Sequence, residues 1–269
     1  MTTPITDPAD PRLADYVGLR DPQGRRVAEA AQGIFVAEGA TVLERLLQRG
    51  LPIRSVLVLP KRLDRVLAMV EGTGVEIFVA ERDVLEAVTG FDLHRGIVAS
   101  AVRPEPPTLE ALLASARVVV ALEGLNDPEN LGAIARTARA FGADGLLLDP
   151  TCADPYARRT VRVSMGELLF LPVVRAEAWP DALTTCVESG FQVVALTPAA
   201  DAIDLRRLDP SLPTVLLVGA EGPGLSGSAQ RAATVRARIP IDRGVDSLNV
   251  GHATAVALAW TTTFGTARP

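Results

Sequence analysis

The chain has 269 residues, 48% of them hydrophobic and 22% charged, with a formal net charge of −5. This composition lies far from that of disordered chains, and the length suits one large domain or two modest ones. Residues 1–107 carry 13 basic and 15 acidic side chains and the remainder 14 and 17, which excludes a global cationic field and leaves a local patch as the only route to a nucleic-acid surface.

Residues 1–13 are polar and proline-rich without a charged-then-apolar signal pattern, and no apolar run approaches the roughly 18 residues of a membrane span. A cytoplasmic protein is expected, with Cys152 and Cys186 as reduced thiols. Those two cysteines lack a CxxC pair and have only His94 and His252 to complete a ligand set, so no metal site is expected. Short β-branched runs at 34–37, 55–59, 75–79 and 96–101 predict strands. Between them, 40–49, 63–70 and 82–88 repeat apolar residues at helical spacing, which together predict a small α/β sandwich.

Arg103-Pro104-Glu105-Pro106-Pro107 disfavours helix and removes the amide donors a central strand needs. The predicted organisation is therefore a first domain at 1–103, a linker at 104–107 and a second domain at 108–269. In the second, strands at 118–122, 145–148, 192–196, 215–218 and 235–241 alternate with helices at 131–141, 180–189 and 247 to about 264. That alternation predicts a mostly parallel sheet whose ligands bind beyond the carboxyl ends of its strands.

Three loops follow strands there. Glu123-Gly-Leu-Asn-Asp-Pro-Glu-Asn130 leads into a helix carrying Arg136 and Arg139 on one face; Asn130 is either its N-cap or a functional group placed at the sheet edge. Leu217-Val-Gly-Ala-Glu-Gly-Pro-Gly-Leu-Ser226 has glycines for tight turns, and its late position and Pro223 rule out a Rossmann fingerprint, which disfavours an NAD-dependent dehydrogenase. Ile239-Pro-Ile-Asp-Arg-Gly-Val-Asp-Ser-Leu-Asn249 precedes a helix rich in small residues, with Ser247 or Asn249 as its N-cap. His252 on that helix reads as a surface or hydrogen-bonded histidine. Arg158, Arg159 and Arg162 cluster after Asp154-Pro155 and form either a phosphate patch or a solvated helix face.

Taken in order, Asn130-Leu-Gly-Ala-Ile-Ala-Arg-Thr-Ala, Leu217-Val-Gly-Ala-Glu-Gly-Pro-Gly-Leu-Ser and Ile239-Pro-Ile…Ser247-Leu-Asn-Val resemble the three motifs of the SpoU (TrmH-like) RNA 2′-O-ribose methyltransferases of the SPOUT class. Asp154-Pro-Tyr…Val161-Arg-Val-Ser-Met-Gly166 is similar to the segment between the first two. Phe35-Val-Ala-Glu-Gly39 and His94-Arg-Gly-Ile97 resemble the family's amino-terminal RNA-binding substrate domain. The resemblance implies a SPOUT methyltransferase fold with a trefoil knot, a homodimer, S-adenosylmethionine as cofactor and RNA as substrate, ribosomal RNA ahead of transfer RNA. By the same resemblance, Leu196, Thr197, Gly219, Ile239 and Leu248 hold the cofactor. Asn130, Arg136, Glu221, Ser247 and Asn249 serve catalysis on the RNA side. Gly251 and His252 depart from the small Ser and Val or Ala residues common there. The rival from another class is a noncatalytic RNA-binding dimer of the same fold, which would not bind S-adenosylmethionine.

Overall fold

β-branched and amphipathic runs alternate along the chain and sort into two units, one of Met1–Glu105 with Tyr156–Leu169 and one of Pro106–Pro155 with Phe170–Pro269. The computed structural model describes residues 2–209, 211–242 and 244–263. Among them, no helix is long and apolar enough to cross a membrane.

The first unit opens with β1 (Thr2–Ile5), α1 (Pro22–Gln32), β2 (Ile34–Glu38) and α2 (Ala40–Arg49). It continues through β3 (Ile53–Val58), α3 (Leu63–Met69), β4 (Glu76–Ala80), α4 (Arg82–Thr89) and β5 (Ile97–Val102). The sheet order is β1-β4-β3-β5-β2, with β4 parallel to both neighbours and β5 antiparallel to both of its own. The four predicted strands and three predicted helices are all present. The polar start of the chain adds β1, which takes its register from β4, and an edge position tolerates its Pro4. Leu13, Tyr16, Leu57, Phe78, Leu85 and Val98 share one core cluster, in which the Tyr16 hydroxyl lies 2.7 Å from Ser55 Oγ.

The second unit continues with α5 (Leu109–Leu113), β6 (Val118–Glu123), α6 (Pro128–Ala140) and β7 (Gly145–Leu148). The chain then passes through α7 (Arg158–Val163), which belongs to the first unit, and returns with β8 (Val173–Arg175), α8 (Asp181–Glu188), β9 (Gln192–Leu196) and β10 (Ile203–Asp204). It ends with β11 (Thr214–Gly219), α9 (Gly227–Ala232), β12 (Val235–Arg238) and α10 (Val250–Leu258). Seven strands form an all-parallel sheet, β10-β12-β9-β11-β6-β7-β8. Every residue of β6 and β7 is buried, as expected of strands covered on both faces. The chain runs β6-β7-β8 in one direction and returns to the other side of β6, so the strand order reverses between β6 and β11. Ligands of open parallel sheets bind at such reversals, beyond the strands' carboxyl ends.

Two expectations are modified. The strand predicted to reach residue 241 ends at Arg238, where Ile239-Pro240 follows and Pro240 offers no amide to the ladder. The predicted final helix begins at Val250 and passes at Ala259 into a wider turn through Thr263; Phe264 lies outside the described residues.

Residues Tyr156–Leu169, which the sequence reading gave to the second domain, belong to the first compact unit. Specific contacts hold them there. The Phe35 and Tyr156 rings lie 5.5 Å apart, and Arg45 Nη2 is 2.9 Å from Glu167 Oε1. Gly166, at φ 79°, passes so close to α2 that an added Cβ would sit 2.9 Å from Cβ of Arg45.

Candidate active site

The loop after β11 is built around one glycine. A Cβ on Gly219 would lie 2.4 Å from the carbonyl carbon of Gly224 and 2.5 Å from the amide of Leu225, so only glycine lets the chain fold back this tightly. An isolated antiparallel bridge between Ala220 and Gly224 closes the turn. Ser226 then caps α9, its Oγ accepting from the Ala229 amide at 3.1 Å.

Beside this loop lies a cavity of about 490 Å³. Leu196 and Thr197 from the end of β9, Gly219 from β11, and Ile239 and Leu248 from the segment after β12 all line it. Those are the five residues expected to hold a cofactor, and Glu221, Ser247 and Asn249 line the same cavity. Its volume falls in the range of about 300 to 1,000 Å³ typical of small-molecule sites. Glu221 and Asp246 are the carboxylates of the lining, which includes no Lys or Arg among the described residues. Sequence reasoning passed over Asp246, although it directly precedes Ser247; one acidic residue in an acidic chain gave no signal.

Three of the expected RNA-side groups meet through hydrogen bonds. Asn249 is the N-cap of α10, its Oδ1 accepting from the amides of Gly251 at 2.9 Å and His252 at 3.3 Å. Its Nδ2 donates to Glu221 Oε1 and, at 3.3 Å, to Asn130 Oδ1. Glu221 Oε1 lies 3.5 Å from the Val250 amide. Asn130 is not the cap of α6. Asp127 is, accepting the Glu129 amide at 3.0 Å with Pro128 in the first turn, which puts Asn130 inside the helix with its side chain turned toward α10.

A second cavity of about 440 Å³ lies on the other side of the glycine-rich loop, lined by Asp127, Asn130, Asp149 and Thr151 among others. Ala220, Glu221 and Gly224 line both cavities, so the loop is their common wall. Arg136 stands exposed on α6 outside both linings, with no ion-pair partner among the described residues. Arg139 lies over the Phe170 ring, 5.5 Å from its centre. His252 is exposed.

The arginine cluster after Pro155 is engaged within the first unit. Arg158 pairs with the buried Glu38 and lies over the Phe91 ring at 4.5 Å, while Arg162 is 3.8 Å from Glu38. Burial pulls the Arg158 guanidinium below its ordinary pKa against the upward pull of Glu38. Arg158 and Arg162, two of the three arginines expected to meet RNA phosphate, thus share an internal carboxylate partner, and Arg159, the third, is exposed. Both cysteines are free and buried, and burial pushes each thiol up to about 12. Among the described residues, no group of three or more His, Cys, Asp or Glu side chains is placed to hold a metal ion.

Residues 117–259 match the SpoU rRNA Methylase family, and residues 36–107 match the domain described as RNA 2′-O ribose methyltransferase substrate binding. An uncharacterized tRNA/rRNA methyltransferase of Mycobacterium tuberculosis is 42% identical over 259 residues, 95% of this chain and 89% of its own length. Among solved structures, the AdoMet-bound rRNA methyltransferase of Sinorhizobium meliloti superposes with a TM-score of 0.82 at 29% identity, over 98% of both chains. The SpoU methyltransferase AviRb of Streptomyces viridochromogenes, in complex with AdoMet, gives 0.80 at 25% identity over 95% of this chain and 98% of that one. The ordered motifs, the all-parallel sheet and these matches agree: the chain belongs to the SpoU methylase family, whose members are S-adenosylmethionine-dependent RNA methyltransferases.

Proposed function

We propose that this SpoU-family RNA methyltransferase modifies the 2′-hydroxyl of a ribose in structured RNA, ribosomal RNA ahead of transfer RNA, with S-adenosylmethionine held in the 490 Å³ cavity. The observation that carries the reading is the junction at Glu221, which lines both cavities and bonds to Asn249 beside Asn130. When bound, S-adenosylmethionine supplies an electrophilic methyl on a cationic sulfur. The donor set fits it: two carboxylates with no basic group among the described residues of the lining favour a ligand of net positive charge and oppose a phosphate-bearing one such as NAD. Leu196, Ile239 and Leu248 supply apolar walls for the adenosine and methionine parts.

On the RNA side, Asn130, Glu221, Ser247 and Asn249 would orient the ribose hydroxyl toward the cofactor cavity, where positioning supplies much of the acceleration. Arg136 binds an adjacent phosphate and stabilises the developing alkoxide. A guanidinium is a poor base and a good fixed positive charge. The first unit grips the RNA around the target, in the cytoplasm where such RNA is found. A second copy docks on α10, a helix rich in small and apolar residues whose Val256 is 45% exposed. The trefoil knot belongs to the same proposal, since the segment from Ile239 to Asn249 closes a cavity with the glycine-rich loop.

The test is transfer of a labelled methyl from S-adenosylmethionine to RNA from a strain lacking this protein, beside Arg136→Ala. Label recovered in a 2′-O-methyl nucleotide of ribosomal RNA, and lost with the variant, supports the proposal. Label on a base, or in transfer RNA alone, replaces its finer terms. Absence of transfer and of cofactor binding favours a noncatalytic RNA-binding dimer.

A further inference from the structure

Glu123 ends β6 at the strand-order reversal, buried to 8% exposure, and the chemistry proposed above does not use it. Its carboxylate is nevertheless fully engaged. Oε2 accepts the Ser226 amide at 2.8 Å, and Oε1 accepts the Ser226 hydroxyl at 2.7 Å and the Trp179 indole N–H at 2.8 Å. Ser226 closes the glycine-rich loop and caps α9, and Gly219 at the loop's other end has no room for a side chain. The loop between them is therefore folded tightly on itself at Gly219 and held to the end of β6 by the Glu123 carboxylate at Ser226.

We infer that Glu123 is a positioning residue for the reaction, fixing the Gly219–Ser226 loop so that Glu221 meets Asn249 and the cofactor cavity keeps its shape. The inference rests on the cavity assignment proposed above. Three donors converge on one carboxylate, an arrangement that orders its partners and leaves the group little room to act as a base. A side chain needed only to end β6 would not require a charge there, and an apolar residue would suit the site better. Trp179 makes the contact observable, because its indole reports on the carboxylate it donates to.

The experiment uses the full chain and measures S-adenosylmethionine affinity by titration calorimetry, methyl transfer and thermal midpoint for wild type, Glu123→Gln, Glu123→Asp and Leu248→Arg, all at a temperature where circular dichroism shows each protein folded. Glu123→Gln replaces an acceptor oxygen with a donor facing donors. The expected result is a loss of cofactor affinity of about tenfold or more, a shift in tryptophan emission, an unchanged KM for RNA and partial recovery in Glu123→Asp. Leu248→Arg puts a bulky cation in the cavity itself and tests the assignment separately. Loss of binding in Leu248→Arg, with Glu123→Gln within about twofold of wild type, overturns the positioning role alone. Wild-type binding by both variants overturns the cavity assignment and the inference with it.

Discussion

Glu38 is 4% exposed and pairs with Arg158 while lying 3.8 Å from Arg162, an arrangement in which removing one partner strands the other in a poorly solvated site. Arg158→Met should therefore destabilise the first unit by about 3 kcal/mol, read from the urea midpoint at constant slope. Adding Glu38→Gln to it should recover part of the loss, and strict additivity of the two would remove the ion pair from the account. The cluster of arginines was visible in the sequence, but its purpose was not: the partner lies 120 positions away, and nothing local distinguishes a guanidinium aimed at phosphate from one aimed at a buried carboxylate. The two cysteines give a pH prediction. Their folded pKa values near 12 exceed the ordinary value of 9.0, so the unfolded state loses these protons first as pH rises. Their contribution to stability is complete below pH 9 and declines as pH climbs toward 12. A Cys152→Ser, Cys186→Ser variant should show a flatter alkaline decline in denaturation midpoint, and an unchanged decline would assign it elsewhere.

The six helices expected from apolar spacing are present as α2, α3, α4, α6, α8 and α10, whereas α1, α5, α7 and α9 were not expected, and the starts of the helices depended on their caps. For α6 the sequence pointed to Asn130 as the cap, but the structure uses Asp127 three residues earlier, because the fixed φ and missing amide of Pro128 suit the first turn. Asp127→Ala should cost about 1 kcal/mol of stability. It should also lower methyl transfer more than it lowers cofactor binding, because fraying the first turn releases Asn130 from Asn249. Equal effects on both would show that the turn serves stability alone. α10 begins as one of its two candidate caps suggested, at Asn249, which spends its Oδ1 on backbone amides and its Nδ2 on Glu221 and Asn130. A capping residue was legible; its second task was not, because that requires loops after three different strands to converge.

For the whole molecule, the exposed flank of α10 carries the proposal of a second copy. Val256→Glu should leave the monomer fold intact to within about 0.5 kcal/mol, since the side chain is already 45% exposed, and should shift the sedimentation coefficient from dimer to monomer. A dimer that persists unchanged would move the interface elsewhere. The sequence by itself determined two α/β regions, the long buried strands of a parallel sheet and the three loops at strand ends, because β-branched runs, helical periodicity and glycine spacing are local signals; the family followed from the resemblance of the motifs in those loops. Only the tertiary structure decided the strand order, with its reversal between β6 and β11, the return of Tyr156–Leu169 to the first unit, the Glu38–Arg158 pair and the clamp of Glu123 on Ser226. Each of these joins groups far apart in the chain, and the energy of such a contact is set by burial and geometry that do not exist until the sheet has formed.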